Sequence, residues 1–200
     1  MRLTQLLRLP AGLLAAAMLV AATACNEKND NDHNGSDVTL DFTAGPDILT
    51  PALPTASADA LTGRHEYTFE GYTLAIYADA AANGKFFWNN QAQYYEAPEP
   101  NKALYFSKEG AYVEFPAIDG LSLSSILYVN STGAGELPSF DLATDTGESL
   151  NHALDFADDG MSMTFTLLDD VMATPCRLTI LNAKNAQVSQ LVLTYAAPER

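Results

Sequence analysis

Residues 161–167 read Met161-Ser162-Met163-Thr164-Phe165-Thr166-Leu167, apolar at every odd position and hydroxylic at every even one. A period of two sends successive side chains to opposite faces of an extended chain. The stretch is therefore a strand with one face in a core and the other in water. A helix would need its apolar residues spaced near 3.6, and strict alternation gives it no such stripe.

The same period recurs on both sides. Val38, Leu40 and Phe42 alternate with Thr39, Asp41 and Thr43, and Tyr67 and Phe69 alternate with Glu66, Thr68 and Glu70. Tyr72, Leu74 and Ile76 share one parity, as do Ala111, Val113 and Phe115, then Cys176, Leu178 and Ile180, and finally Leu191, Leu193 and Tyr195. In 121–129 the alternation slips by one place at Ser124-Ser125, which predicts a β-bulge. Asn83-Gly84, Asp119-Gly120 and Asp159-Gly160 supply turn signals between the runs. The nearest approach to a helix is Ser57 to Leu61, stopped by Gly63 and worth at most a turn or two. About ten short strands at spacings of roughly ten residues predict an all-β, antiparallel sandwich or barrel. It spans 38–196, with 197–200 as a tail, and the Pro-rich stretch from Gly45 to Pro54 is a connection inside it.

Ahead of the domain stands a different kind of sequence. Residues 1–24 combine a basic start (Arg2, Arg8), an apolar run from Leu9 to Val20 and then small residues, the layout of a secretory signal. The run is shorter than the roughly 20 residues of a comfortable bilayer span. It closes on Ala22-Thr23-Ala24-Cys25, which resembles the bacterial lipobox, except that Ala22 stands where Leu is usual. The resemblance implies diacylation of Cys25, a stable anchor because each buried methylene contributes about 0.8 kcal/mol. Residues 26–37 contain no apolar side chain and predict a disordered tether, 25–37 once Cys25 is included. Its acidity is similar to the surface-export signal of Bacteroidetes lipoproteins, which implies an outer-membrane, surface-exposed location. Asp30, Asp32, Asn34, Gly35 and Asp41 also match the opening and twelfth positions of an EF-hand loop. Against that reading, Asp41 replaces the bidentate Glu, Asp37 occupies an apolar position, and no entering helix fits.

Charge and cysteines narrow the function. With Arg2 and Arg8 removed, eight basic residues face 25 acidic ones, a balance that repels phosphate backbones and excludes nucleic acid as a partner. Cys25 is taken by the lipid, so Cys176 has no partner for an internal disulfide; its parity makes it a small core hydrophobe. The three histidines, His33, His65 and His152, sit in no nucleophile or metal motif, and no phosphate-cradling glycine loop occurs. Among 25 carboxylates some pair will always suggest a glycosidase, so that signal has almost no specificity. The chain is read as a non-enzyme, with a glycan-active hydrolase as the third alternative. Loops 141–148 and 155–159 leave room for a structural calcium ion, with no ligands assigned.

One segment suits a ligand. Lys85-Phe86-Phe87-Trp88-Asn89-Asn90-Gln91 and Tyr94-Tyr95 set aromatics beside amides, as sugar sites do, with Trp88, Asn89, Asn90, Tyr94 and Tyr95 as candidates. The competing reading is that the chain's one Trp is core. The opening strand ending Asp41-Phe42-Thr43, the run Ala103-Leu104-Tyr105-Phe106, the strand closing on Pro116 and the final 188–195 together resemble the galactose-binding-like jelly-roll of Bacteroidetes surface lipoproteins. That resemblance implies carbohydrate binding or adhesion, often beside a structural calcium. A structural, protein-binding component of a surface assembly is the alternative, and an unpaired strand edge or an apolar patch would favour it.

Overall fold

The computed structural model describes residues 35–90, 102–131, 136–171 and 174–197. The leader, Cys25, the tether up to Asn34, and Tyr94 and Tyr95 lie outside them. Twelve strands occur among the described residues: β1 (Ser36–Asp41), β2 (Gly63–Phe69), β3 (Tyr72–Ala78), β4 (Phe86–Asn90), β5 (Lys102–Ser107) and β6 (Tyr112–Phe115). They continue with β7 (Ser122–Asn130), β8 (Phe140–Thr144), β9 (His152–Phe156), β10 (Ser162–Leu167), β11 (Cys176–Ile180) and β12 (Asn185–Ala196). Ser36 and Asp37, read from sequence as tether, pair with Tyr195 and Thr194 instead. Because β1 begins directly after Gly35, the EF-hand reading fails: a strand stands where the calcium loop would run.

Two antiparallel sheets face each other. The seven-stranded sheet runs β4-β5-β12-β7-β10-β9, with β1 joining β12 beyond the end of β5; the five-stranded sheet runs β2-β3-β6-β11-β8. From β5 onward the chain changes sheet at nearly every connection, so β5-β12-β7-β10 lies opposite β6-β11-β8 in jelly-roll order. Alternation places the core as expected: Val38, Leu40 and Phe42, Leu104 and Phe106, Val113 and Phe115, Met163 and Phe165, and Leu191, Leu193 and Tyr195 are all buried.

Two bulges shape the larger sheet. One falls at Ser124, as the sequence predicts, where Thr194 pairs with Ser125 and Tyr195 with Leu123. The other is Ser189, where Val188 pairs with Asn130 but Gln190 with Val129. At that kink β12 exchanges β5 for β1 as its neighbour, and the Ser189 carbonyl accepts from Phe42 N at 2.9 Å. At Gly84 a Cβ would sit 2.9 Å from the carbonyls of both Asp79 and Ser107, so the turn into β4 admits only glycine. Segments 141–148 and 155–159, read as loops, prove to belong in part to β8 and β9. The sequence left both strands out.

Candidate functional site

The aromatic–amide segment is the first place to look, and it lies inside. β4 buries Trp88 to 7 % exposure and Asn89 to 2 %. The Trp88 indole N–H donates to the Phe42 carbonyl at 2.7 Å, which satisfies its one polar group within the core. Asn89 Nδ2 donates to Gln187 Oε1 at 3.0 Å. Phe87, on the opposite face to Trp88, is also buried, its ring 4.9 Å from that of Tyr105. Alternation therefore does not separate a wet face from a dry one here, and neither Trp88 nor Asn89 can offer a surface to a sugar. Asn90, at the strand end, is exposed. Tyr94 and Tyr95 lie outside the described residues.

The outer face of the smaller sheet carries its own cluster. Glu114 Oε1 accepts from Arg64 Nη2 at 2.6 Å and its Oε2 from Arg177 Nε at 2.7 Å. Arg177 also lies 4.7 Å over the Tyr112 ring, which stacks on Tyr77 at 5.0 Å. Burial works against the Glu114 charge, but the hydrogen bonds from the two guanidiniums overcome it and hold the carboxyl below its ordinary range. A carboxylate locked in the ionised state by two partners is a poor general acid. The cluster ties β2, β6 and β11 together.

Nothing nucleophilic is activated among the described residues. Burial, helped by the charge of Asp145, pushes the Cys176 thiol up to about 12, and its Sγ donates to the Thr174 carbonyl at 3.4 Å. His65 Nε2 sits 2.9 Å from the Thr62 carbonyl and His152 Nδ1 2.8 Å from that of Leu150. Both rings pack on phenylalanines, Phe86 and Phe165. A cavity of about 530 Å³ lined in part by Ser122, Leu168, Asp169 and Asp170 opens at the end of β10. No three His, Cys, Asp or Glu among the described residues are grouped to hold a metal ion.

The edges of the sandwich are the remaining feature. At β2, Thr50 and Thr68 exchange both backbone hydrogen bonds. At β4, Leu61 does the same with Phe86, and Trp88 N donates to the Pro54 carbonyl. At β8, the chain folds back so that Leu150 N donates to Leu142 O and Thr144 N to Glu148 O. Among the described residues β1 pairs on one side only, but it and the residue after it bury Val38, Leu40 and Phe42 and turn Asp37 and Thr39 to water. Charges and covering segments of this kind are how sheets avoid pairing with strangers.

β9 has charge but no covering segment among the described residues. Among the described residues it pairs with β10 alone, and no backbone hydrogen bond reaches its other side. Its register puts Leu154 opposite Phe165 and Phe156 opposite Met163, on the face that is core everywhere else. The smaller sheet ends at β8, whose Phe140 ring is 6.3 Å from that of Phe165 on β10, so β9 projects one strand past its cover. Leu154 is consequently 44 % exposed and Phe156 55 %. Sequence reading missed this strand because its two apolar residues are flanked by Asp155, Asp158 and Asp159, which read as a solvated loop. Compared with protein-family models, curated proteins and solved structures, the chain matches none.

Proposed function

We propose that the chain is an exported lipoprotein, diacylated at Cys25, whose β-sandwich acts without catalysis as a protein-binding component of a cell-envelope assembly. The observation that carries this reading is β9: an edge strand with an open backbone side and two exposed apolar side chains, where the other edges are covered or keep their apolar side chains buried. The leader and the lipobox-like ending at Cys25 supply the location. A carbohydrate ligand loses its motivating platform once Trp88 and Asn89 are buried, since a sugar needs an aromatic face open to water.

The test uses the full chain in its own envelope. A photo-crosslinking residue replacing Phe156 is expected to give a discrete protein adduct, and the same residue replacing the equally exposed Leu181, outside β9, is not. Adducts from both positions or from neither would discard the reading, as would binding of the purified domain to a glycan array. Cys25→Ser should release the chain from the membrane fraction.

A further inference from the structure

The geometry points to the occupant of β9, and this step rests on the protein-binding reading above: we propose that the edge accepts an extended strand of a partner protein in which apolar residues alternate with Lys or Arg. Three observations carry it. The first is backbone parity. Leu168 N donates to Asn151 O and Ala157 N to Ser162 O, so the odd positions 151, 153, 155 and 157 direct their backbone groups at β10. In an antiparallel ladder hydrogen-bonded and non-bonded pairs alternate, so His152, Leu154 and Phe156 direct their N–H and C=O outward. An added strand would find three donors and three acceptors at the spacing it requires.

The second observation is the overhang. Leu154 and Phe156 continue the core face beyond the smaller sheet, so alternate residues of the incoming strand must be apolar to cover them. The third is charge. Asp155 lies on the opposite, solvated face of β9; Asp158 and Asp159 follow its C-terminal end, and Asp169 and Asp170 follow Leu168 beside its beginning. No Lys or Arg occurs from residue 109 to residue 176. The strand's remaining residues, facing Asp155 and flanked by four more carboxylates, are therefore basic.

The same charges decide against a second copy of this chain. Antiparallel pairing of two β9 strands about Leu154 would set Asp158 and Asp159 of one copy beside Asp169 and Asp170 of the other. That places two like-charged edges in contact on chains that each carry a formal charge of −15.

The experiment takes eight-residue peptides alternating Ile or Val with Lys, and the same peptides with Glu in place of Lys. Binding to the full chain is measured by fluorescence anisotropy at low salt, and amide exchange is read residue by residue by NMR. The Lys peptide should bind at least tenfold more tightly than the Glu peptide. It should slow exchange at His152, Leu154 and Phe156, while Ala153 and Asp155 are protected with or without it. Leu154→Pro places the missing N–H on the open side, leaves the bonds to β10 intact and should abolish binding. Asp155→Lys, a change on the solvated face, should weaken binding about tenfold and invert the preference between the two peptides. Equal binding of both peptides, protection elsewhere than β9, or indifference to both variants would overturn the proposal. So would dimerisation that protects β9. If a Phe156 adduct forms in the envelope while the Lys peptide does not bind, protein binding stands and the basic strand falls.

Discussion

Two buried tyrosines make the accounting of polar atoms visible at the scale of single residues. Tyr195 donates its hydroxyl to the Pro116 carbonyl at 2.7 Å, whereas the buried hydroxyl of Tyr67, a residue no more exposed, has no partner among the described residues. An unpaired buried hydroxyl costs more than it returns, so Tyr67→Phe should leave stability within about 0.5 kcal/mol or raise it. Tyr195→Phe should lower it by about 1–2 kcal/mol by orphaning the carbonyl, both read by urea denaturation. Glu114 adds a pH dependence. A carboxyl depressed in the folded state contributes stability that is complete above its unfolded value and is lost as pH falls through the folded one. Glu114→Gln should thus cost about 1–2 kcal/mol at pH 7, toward the low end because the Arg64 side chain is 40 % open to water. The unfolding curves of the two proteins should converge as the pH falls through the depressed range in which the wild-type carboxyl takes up its proton, below the ordinary carboxylate range. Had they stayed apart, the arginine partnership would not be the source. At this scale the sequence was least legible. It put Trp88 and Asn89 in a binding segment because one strand cannot reveal that both of its faces are covered, a fact that depends on Phe42 and Gln187, distant in the chain.

Among elements, β12 tests how parity and bulge work together. Ala186 and Val188 share the core face with Leu191, Leu193 and Tyr195, two residues separating Val188 from Leu191 where alternation allows one. Ser189 absorbs the extra residue, its Oγ donating to the carbonyls of Val129 and Asn130. Deleting Ser189 should therefore keep every apolar side chain inward, straighten the strand and cost about 1–3 kcal/mol through the lost bonds and the displaced Phe42 contact. Deleting Val192, three places on, turns Leu193 and Tyr195 to the wrong face and should abolish cooperative unfolding. Near-UV circular dichroism separates the two; similar losses would mean that the bulge does not set the register. Strands with clean alternation, such as β10 and β1, were legible for this same reason. β8 and β9 were not. Phe140-Asp141-Leu142-Ala143-Thr144 breaks its alternation at buried Ala143, and in His152-Ala153-Leu154-Asp155-Phe156 the apolar residues are exposed. A strand outside the core is not held to the pattern that burial imposes.

For the molecule as a whole, the acidity of the chain governs what an open edge can do. An uncovered, apolar edge strand is a template for association, and natural sheets suppress it with charge, proline or cover. Here the four covered or polar edges dispense with long-range charge, and β9 depends on it: −15 overall, with carboxylates at both ends of the strand and a positively charged neighbour nowhere between residues 109 and 176. At neutral pH and low salt, repulsion between like chains opposes pairing of one β9 with another, which is what the proposed basic partner strand requires. As the pH approaches the sequence isoelectric point of about 4.3, that protection disappears. The domain should be monomeric at pH 7 and associate reversibly near pH 4.3, with Leu154 and Phe156 becoming covered. Leu154→Pro should stay monomeric at both, because it removes an outward donor without touching the ladder to β10. Analytical ultracentrifugation across pH 4–8 decides the matter. Association of the proline variant to the same extent would locate the sticky surface elsewhere, and Leu181, also exposed, would be the next residue to change.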